Sequence, residues 1–306
     1  KSCLVNVLCQ TSSMPTPCSR CCYNLRSTLP ALCTSCRKPL HGRPLGPKSL
    51  LIGRTSSSPH FLTAPCTSSP WRCRSPPLPS TTGGDMATAQ HSENFYDQGK
   101  AYWETIPATI DGMLGGYSEI SSTDIHSSHR LLKLFRENKT APLGRLRALD
   151  CGAGIGRITK HLLLPMFDTV DMVEQNQAFL DKAHTYIGAE SKRVGRLICQ
   201  GLQDFTPEEG YYDVIWCQWV TGHLTDADLV SFVQRCLHGL RENGLFVIKD
   251  NVTQGSVDVD NRDGSVTRPR KLFLQIFEKA GAKMLADRKQ YKFPKGLYEV
   301  RTFAMR

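Results

Sequence analysis

The sequence predicts an α/β fold, a mostly parallel sheet with helices on both faces and a helical extension ahead of it. Two observations lead there. Short apolar runs alternate with helix-period patterns from Leu146 to Phe277, as in repeated strand–helix–strand units. In Ala148–Lys160, ALDCGAGIGRITK, an apolar run ends at Asp150, glycines follow at alternate positions (Gly152, Gly154, Gly156), and a helical pattern begins. Glycine has no Cβ and tolerates positive φ, so such a turn lets a ligand approach the backbone closely.

Taken in order, Tyr96, Ala101, Tyr102 and Trp103 suggest a short amphipathic helix that Pro107 ends, and Gly115–Gly116 marks a mobile segment. This stretch is either a packed extension or a lid over a substrate. Asp124–Asn138 reads as a helix through Ile125, Leu131, Leu132, Leu134 and Phe135. Strands are expected at Leu146–Cys151, Thr169–Glu174, Arg196–Cys199, Tyr212–Trp219 and Leu245–Lys249, and helices at Ile155–Leu164, Gln177–Ile187 and Asp226–Leu240. Asn243–Gly244 is expected to close the last of these helices. Pro269 suits the first position of a helix carrying Leu272, Phe273, Ile276 and Phe277. Met284–Lys289 and Tyr298–Ala304 read as a closing strand pair.

The formal charge of +10 is unevenly distributed: residues 1–85 hold ten Lys/Arg and one acid, Asp85, whereas residues 86–306 hold 28 Lys/Arg and 27 acids. The globular part therefore lacks a charge signature for nucleic acid, which is not expected to be its partner. No apolar run approaches the roughly 18 residues that cross a bilayer, so no membrane partner is expected either. Nine of the 13 cysteines precede residue 86. The other four, Cys151, Cys199, Cys217 and Cys236, lie in apolar patterns and are expected to be free and buried, as in a reducing compartment.

Residues 1–85 hold 12 of the 18 prolines and 14 serines with no hydrophobic period, so disorder is the default expectation. Three sharper readings compete. Cys18-x2-Cys21 and Cys33-x2-Cys36 have zinc-site spacing, which would make the basic tail a zinc- or nucleic-acid-binding module. An acid-poor, Arg- and Ser-rich start is similar to a transit peptide. The third reading, which we favour, is that Met86 opens the protein proper, because composition changes abruptly there. The expected domains are thus a disordered or extraneous 1–85 and a globular 86–306, the latter divided into an extension or lid at 86–140 and a core at 145–306.

The chemistry gathers at expected strand ends. A dinucleotide fingerprint wants G-x-G-x-x-G, but Arg157 stands at its third glycine, which disfavours nicotinamide chemistry. Glu174 ends the second strand and can accept both hydroxyls of a ribose. Glycine turn plus ribose acid suits S-adenosylmethionine; a strand–turn–helix without a ligand is the plain alternative. Gly201–Phe205, GLQDF, offers Gln203 and Asp204 to an adenine edge and Leu202 to its face, or is only a polar loop. Gln218–His223, QWVTGH, places an amide, an indole and an imidazole over the cofactor's reactive end, although Trp219 and His223 each also suit a structural role. Asp258, Asp260 and Asp263 form an acidic stretch out of register with a calcium loop. It is a solvated loop or a mouth for a cationic substrate.

DCGAGIGRITK, GLQDFTP, YDVIWCQWVTGHLTD, VIKDN, AYWETIPATIDGMLGGY and the final YEVRTFAMR together resemble the protein N-terminal Xaa-Pro-Lys methyltransferases, from about Glu93 to Arg306. The resemblance implies a Rossmann-like, class I S-adenosylmethionine-dependent methyltransferase whose helical extension helps form a peptide channel. By motif position Gly152, Gly154, Arg157, Glu174, Gln175, Leu202, Gln203 and Gln218 would hold S-adenosylmethionine and its product S-adenosylhomocysteine. Trp219 would wall the pocket for a second-position proline, and Asn251 would hold the α-amino group. Asp260, with Ser265, would bind the third-position lysine together with Asp263, and Asp263 and His223 would be the candidate bases. Tyr102, Trp103, Leu114, Leu297 and Tyr298 would line the channel. No metal is implied. Partners would be N-terminal segments beginning Xaa-Pro-Lys, and the compartments nucleus and cytoplasm. One departure is the pair Glu174–Gln175, where family members often carry aspartate and a hydrophobic residue. The alternative within the same chemistry is methylation of a small amine or of another protein site.

Overall fold

The computed structural model describes residues 94–306. The zinc, transit-peptide and start-site readings of residues 1–85 lie outside the described residues. Three helices come first: α1 (Phe95–Glu104), α2 (Ile110–Met113) and α3 (Ser121–Arg136). The strands are β1 (Arg147–Cys151), β2 (Thr169–Glu174), β3 (Val194–Cys199), β4 (Tyr212–Gln218), β5 (Leu240–Thr253), β6 (Asp258–Val259), β7 (Val266–Pro269), β8 (Met284–Lys289) and β9 (Glu299–Met305). Helices α4 (Gln177–Ile187), α5 (Asp226–His238) and α6 (Arg270–Lys279) connect them.

The parallel sheet runs β3-β2-β1-β4-β5. Antiparallel β9 pairs with β5 from Phe246↔Met305 to Val252↔Glu299, and β8 pairs with β9. The last two residues of β5 also pair with β7, which forms a hairpin with β6. The central strands are apolar on both faces because both are covered. Leu149, Ile215, Cys217, Phe246 and Ile248 pack with α5 and α6. Their neighbours Ala148, Val214, Trp216, Leu245 and Val247 point the other way, into a layer with α3 and α4. The two-residue period of a strand thus feeds two cores from one run of sequence. Strand order reverses between β1 and β4, and the crevice beyond their carboxyl ends is where such sheets bind ligands.

Four local expectations change. The helix expected over Ile155–Leu164 contains a π-helical turn, Thr159–Leu163. Asp150 Oδ2 accepts the Thr159 N–H at 2.9 Å and its hydroxyl at 2.7 Å, capping the helix ahead of its first ladder bond, Lys160 N–H to Gly156 O, and Leu164 N–H then closes a wider loop onto Thr159 O. Helix α5 ends at His238, and Asn243, at φ +60°, sits with Gly244 where the β4–β5 register slips. The acidic stretch is not a plain loop, since it makes the β6–β7 hairpin. Cys151, Cys217 and Cys236 are buried and free, but Cys199 is exposed because β3 is an edge strand with a partner on one side.

Candidate active site

At the carboxyl ends of β1, β2 and β4 lies a cavity of about 980 Å³ of empty space, its open mouth included. Gly152, Gly154, Arg157, Glu174, Gln175, Leu202, Gln203 and Gln218 all line it, as do Trp103, Trp219 and His223. The glycine loop requires glycine at each turn position. Gly152 and Gly154 have φ of +69° and +54°; a Cβ on Gly152 would stand 2.7 Å from Val220, and one on Gly154 2.5 Å from Met113 Sδ. Gly152 and Ala153 N–H groups both donate to Val173 O, which ties the loop to β2.

Glu174 is buried at the end of β2. Its oxygens accept the N–H groups of Gly154 at 2.9 Å and Asn176 at 3.0 Å. Burial raises its pKa, and those N–H groups oppose the rise. Asn176 also caps α4 and donates its side-chain amide to Trp103 O, so the floor of the cavity is tied to α1. Leu202 is buried and Gln203 folds across Gly201. Asp204, expected at an adenine edge beside Gln203, is exposed and is not among the cavity residues. This loop is held from beneath by Arg235, which donates to the carbonyls of Leu202, Gln203 and Phe205.

The carboxylate of Asp124, fully buried on α3, organises the wall. It accepts Arg157 Nη1 at 2.8 Å, both its oxygens accept Gln218 Nε2 at 2.9 Å, and Lys249 Nζ lies 2.5 Å away. Burial pushes the Asp124 pKa up, but the charges of Lys249 and Arg157 outweigh it and the net shift is down. The Arg157 guanidinium also lies 5.3 Å from the Trp219 ring centre. Trp219 holds φ +55°, a conformation that costs a non-glycine residue energy and that collects at functional sites.

Over the mouth, α1, the turn Thr221–His223 and the β6–β7 hairpin converge. A Cβ on Gly99 would meet His223 Nδ1 at 3.0 Å and Asp263 O at 3.4 Å, and Gln98 donates to Asn261 O. Trp103 Nε1 donates to His223 Nε2 at 2.9 Å. Burial lowers the His223 pKa, and the charge of Asp263 partly opposes this. Asp263 is 3% exposed and accepts the Ser265 N–H. Tyr102 lies in the field of Asp263, Arg262 and Asp260, its pKa raised by burial and then by Asp263. Among the described residues two buried side-chain oxygens have no hydrogen-bond partner: Tyr102 Oη at this mouth, and Asn251 Oδ1 near the carboxyl end of β5. Arg268, fully buried, donates to Thr221 O and Leu224 O and pairs with Asp226, which fixes the turn that carries His223.

Of the channel residues implied by resemblance, Tyr298 donates a hydrogen bond to Asp258, and Leu297 is half-buried just ahead of β9. Leu114 caps α2 and is completely buried, and like Tyr102, Leu297 and Tyr298 it is not among the cavity residues. Among the described residues no group of three or more His, Cys, Asp or Glu is placed to hold a metal ion, and no helix is long and apolar enough to cross a membrane. Asp124, Asn176, Arg235 and Arg268 were not singled out from sequence. Of these only Asn176 had a local signal, a capping residue directly after a strand.

A family model described as AdoMet-dependent proline di-methyltransferase matches residues 91–306. The N-terminal Xaa-Pro-Lys N-methyltransferase 1-B of Xenopus laevis is 54% identical over 212 residues, 69% of this chain and 95% of that protein. The N-terminal Xaa-Pro-Lys N-methyltransferase 1 of Mus musculus is 51% identical over 217 residues, 71% and 97% respectively. Among solved structures, a SAM-dependent methyltransferase of Leishmania major superposes with a TM-score of 0.65 at 32% identity, covering 73% of this chain and 87% of that one.

Proposed function

The chain belongs to the AdoMet-dependent proline di-methyltransferase family, and from that premise we propose that it methylates the free α-amino group of proteins beginning Xaa-Pro-Lys. The observation that carries this reading is a pair of orphaned buried oxygens, Tyr102 Oη in the field of the buried Asp263 carboxylate and Asn251 Oδ1 near the carboxyl end of β5. Unpartnered buried oxygens are costly, and a donor-rich ammonium relieves that cost.

The cavity fits S-adenosylmethionine: a glycine cradle that a Cβ would fill, a buried carboxylate at the β2 end for ribose hydroxyls, and an apolar face at Leu202. When bound, it supplies an electrophilic methyl group on sulfur. Gly152, Gly154, Glu174, Leu202, Gln203 and Gln218 would hold it, with Arg157 fixed behind by Asp124. The nucleophile must be a neutral amine. A protein α-amino group has a pKa of about 7.7–8.0, so near neutral pH most of it is protonated. Asn251 Oδ1 accepts one ammonium N–H and orients the nitrogen. Asp263 accepts the proton that leaves. His223 is the weaker base, because its Nε2 lone pair takes the Trp103 N–H and its proton sits on Nδ1; it stays uncharged and forms wall. Trp219 walls a pocket for a ring at substrate position two, while α1 and the hairpin exclude water and align the reactants.

The test is a mass-spectrometric assay of the full chain with S-adenosylmethionine and a Ser-Pro-Lys peptide, alongside the same peptide acetylated at its N-terminus. Methyl groups on the α-nitrogen of the free peptide and none on its acetylated twin are expected. Equal methylation of both would move the reaction to a side chain and overturn the reading.

A further inference from the structure

The acidic mouth already contains a cation of its own. The hairpin turn is closed by Gly264 N–H donating to Asp260 O at 2.8 Å and Asp260 N–H donating to Ser265 O at 2.9 Å. At its tip, Arg262 grips the Asp260 carboxylate three ways: backbone N–H to Oδ1 at 2.9 Å, Nε to Oδ1 at 3.2 Å, and Nη2 to Oδ2 at 2.8 Å. The fork thus engages both carboxylate oxygens. The side chains are 38% and 16% exposed, so the pair sits at the rim, where an incoming residue can reach it. The field of Arg262 extends to Tyr102 and Asp263. Of the other rim acids, Asp258 takes the Tyr298 hydroxyl and Asp263 lies deeper, against Ser265 N–H.

This arrangement changes what Asp260 can offer a substrate. A carboxylate in a two-pronged guanidinium pair is close to electrically neutral, and Arg262 takes three of the roughly four in-plane lone-pair sites of Asp260. A lysine at substrate position three competes with Arg262 for one carboxylate charge, so much of the attraction cancels. An uncharged side chain leaves the internal pair intact and loses little. We propose that Arg262 is a specificity-determining residue that, by occupying Asp260, weakens selection for lysine at substrate position three and admits uncharged residues there. The inference rests on the N-terminal methylation reading above.

The experiment compares the full chain with its Arg262→Ala and Arg262→Lys variants on two peptides that differ only at position three, Ser-Pro-Lys and Ser-Pro-Gln. The quantity read is the ratio of their kcat/KM values. In Arg262→Ala the lysine-to-glutamine ratio rises about fivefold, mainly through KM of the lysine peptide, as expected for one partly exposed ion pair set free to bind substrate. Arg262→Lys, which keeps the charge, stays close to the wild-type ratio, and the alanine gain shrinks as salt is raised. Arg262→Gln reads the same ratio if the alanine variant does not fold. Methylation of both peptides with an unmoved ratio overturns the inference alone. No methylation of either peptide by any form, wild type included, overturns the underlying reading and the inference with it.

Discussion

Asp263 and His223 are two groups at the mouth able to take a proton, and their surroundings divide them. The imidazole is held neutral by burial, and its acceptor nitrogen faces the Trp103 indole N–H. To act as base it would have to give up that hydrogen bond, whereas Asp263 gives up none in taking a proton on its second oxygen. Replacement of Asp263 by Asn is therefore expected to cut turnover about 100-fold or more while leaving cofactor affinity, measured by calorimetric titration, at its wild-type value. Turnover near normal would remove Asp263 from the proton path. Sequence made both residues visible through strand-end position and family motif, but not their difference, which depends on Trp103, 120 positions from His223. Asp124 was hidden for the same reason: in a helical pattern a lone aspartate reads as solvent-facing, and its partners Arg157, Gln218 and Lys249 are brought to it only by the sheet.

Among the elements, the regular ones were legible and the exceptions were not. Helix α4 matches its expected bounds because its capping residue Asn176, apolar stripe and terminal Gly188 agree. The helix after the glycine loop closes a π turn from Leu164 N–H to Thr159 O, and its start is held by Asp150, one residue before the end of β1, which takes the Thr159 N–H. That has a pH consequence. Burial pushes the Asp150 pKa from an ordinary 3.8 to about 6, and the Thr159 hydrogen bonds only partly oppose it. Between those values the folded chain holds a proton that the unfolded chain has lost, so the contribution of Asp150 to stability is complete below about pH 4 and is lost as pH rises through 6. Asp150→Asn does not titrate. Thermal melts from pH 4 to 7 should show the variant gaining on the wild type by roughly 2–3 kcal/mol across that window. A constant difference would mean that Asp150 is not desolvated. The hairpin β6–β7 was also missed, since strands of two and four residues carry too little periodicity to separate from a loop.

For the described part of the molecule as a whole, the fold and the active site share one physical cause. A parallel sheet needs apolar strands on both faces, which leaves strand ends and the elements folded over them to carry polar chemistry. Five strand-end motifs were readable from sequence for that reason, and the cavity is lined from four of those ends together with residues of α1, α2 and α4. What covers them, α1 and the hairpin, was readable only as an aromatic stretch and an acidic one, because their meeting at Gly99, Gln98 and Asp263 spans more than 160 residues. On this reading a methyl donor seated on the glycine loop and an α-amine seated against Asn251 and Asp263 meet in one cavity. A crystal structure of the chain with S-adenosylhomocysteine and a Ser-Pro-Lys peptide decides it. The ribose is expected at Glu174 and the peptide nitrogen within hydrogen-bonding distance of Asn251 Oδ1 and Asp263. A ribose away from Glu174, or a peptide terminus outside the mouth, would contradict it.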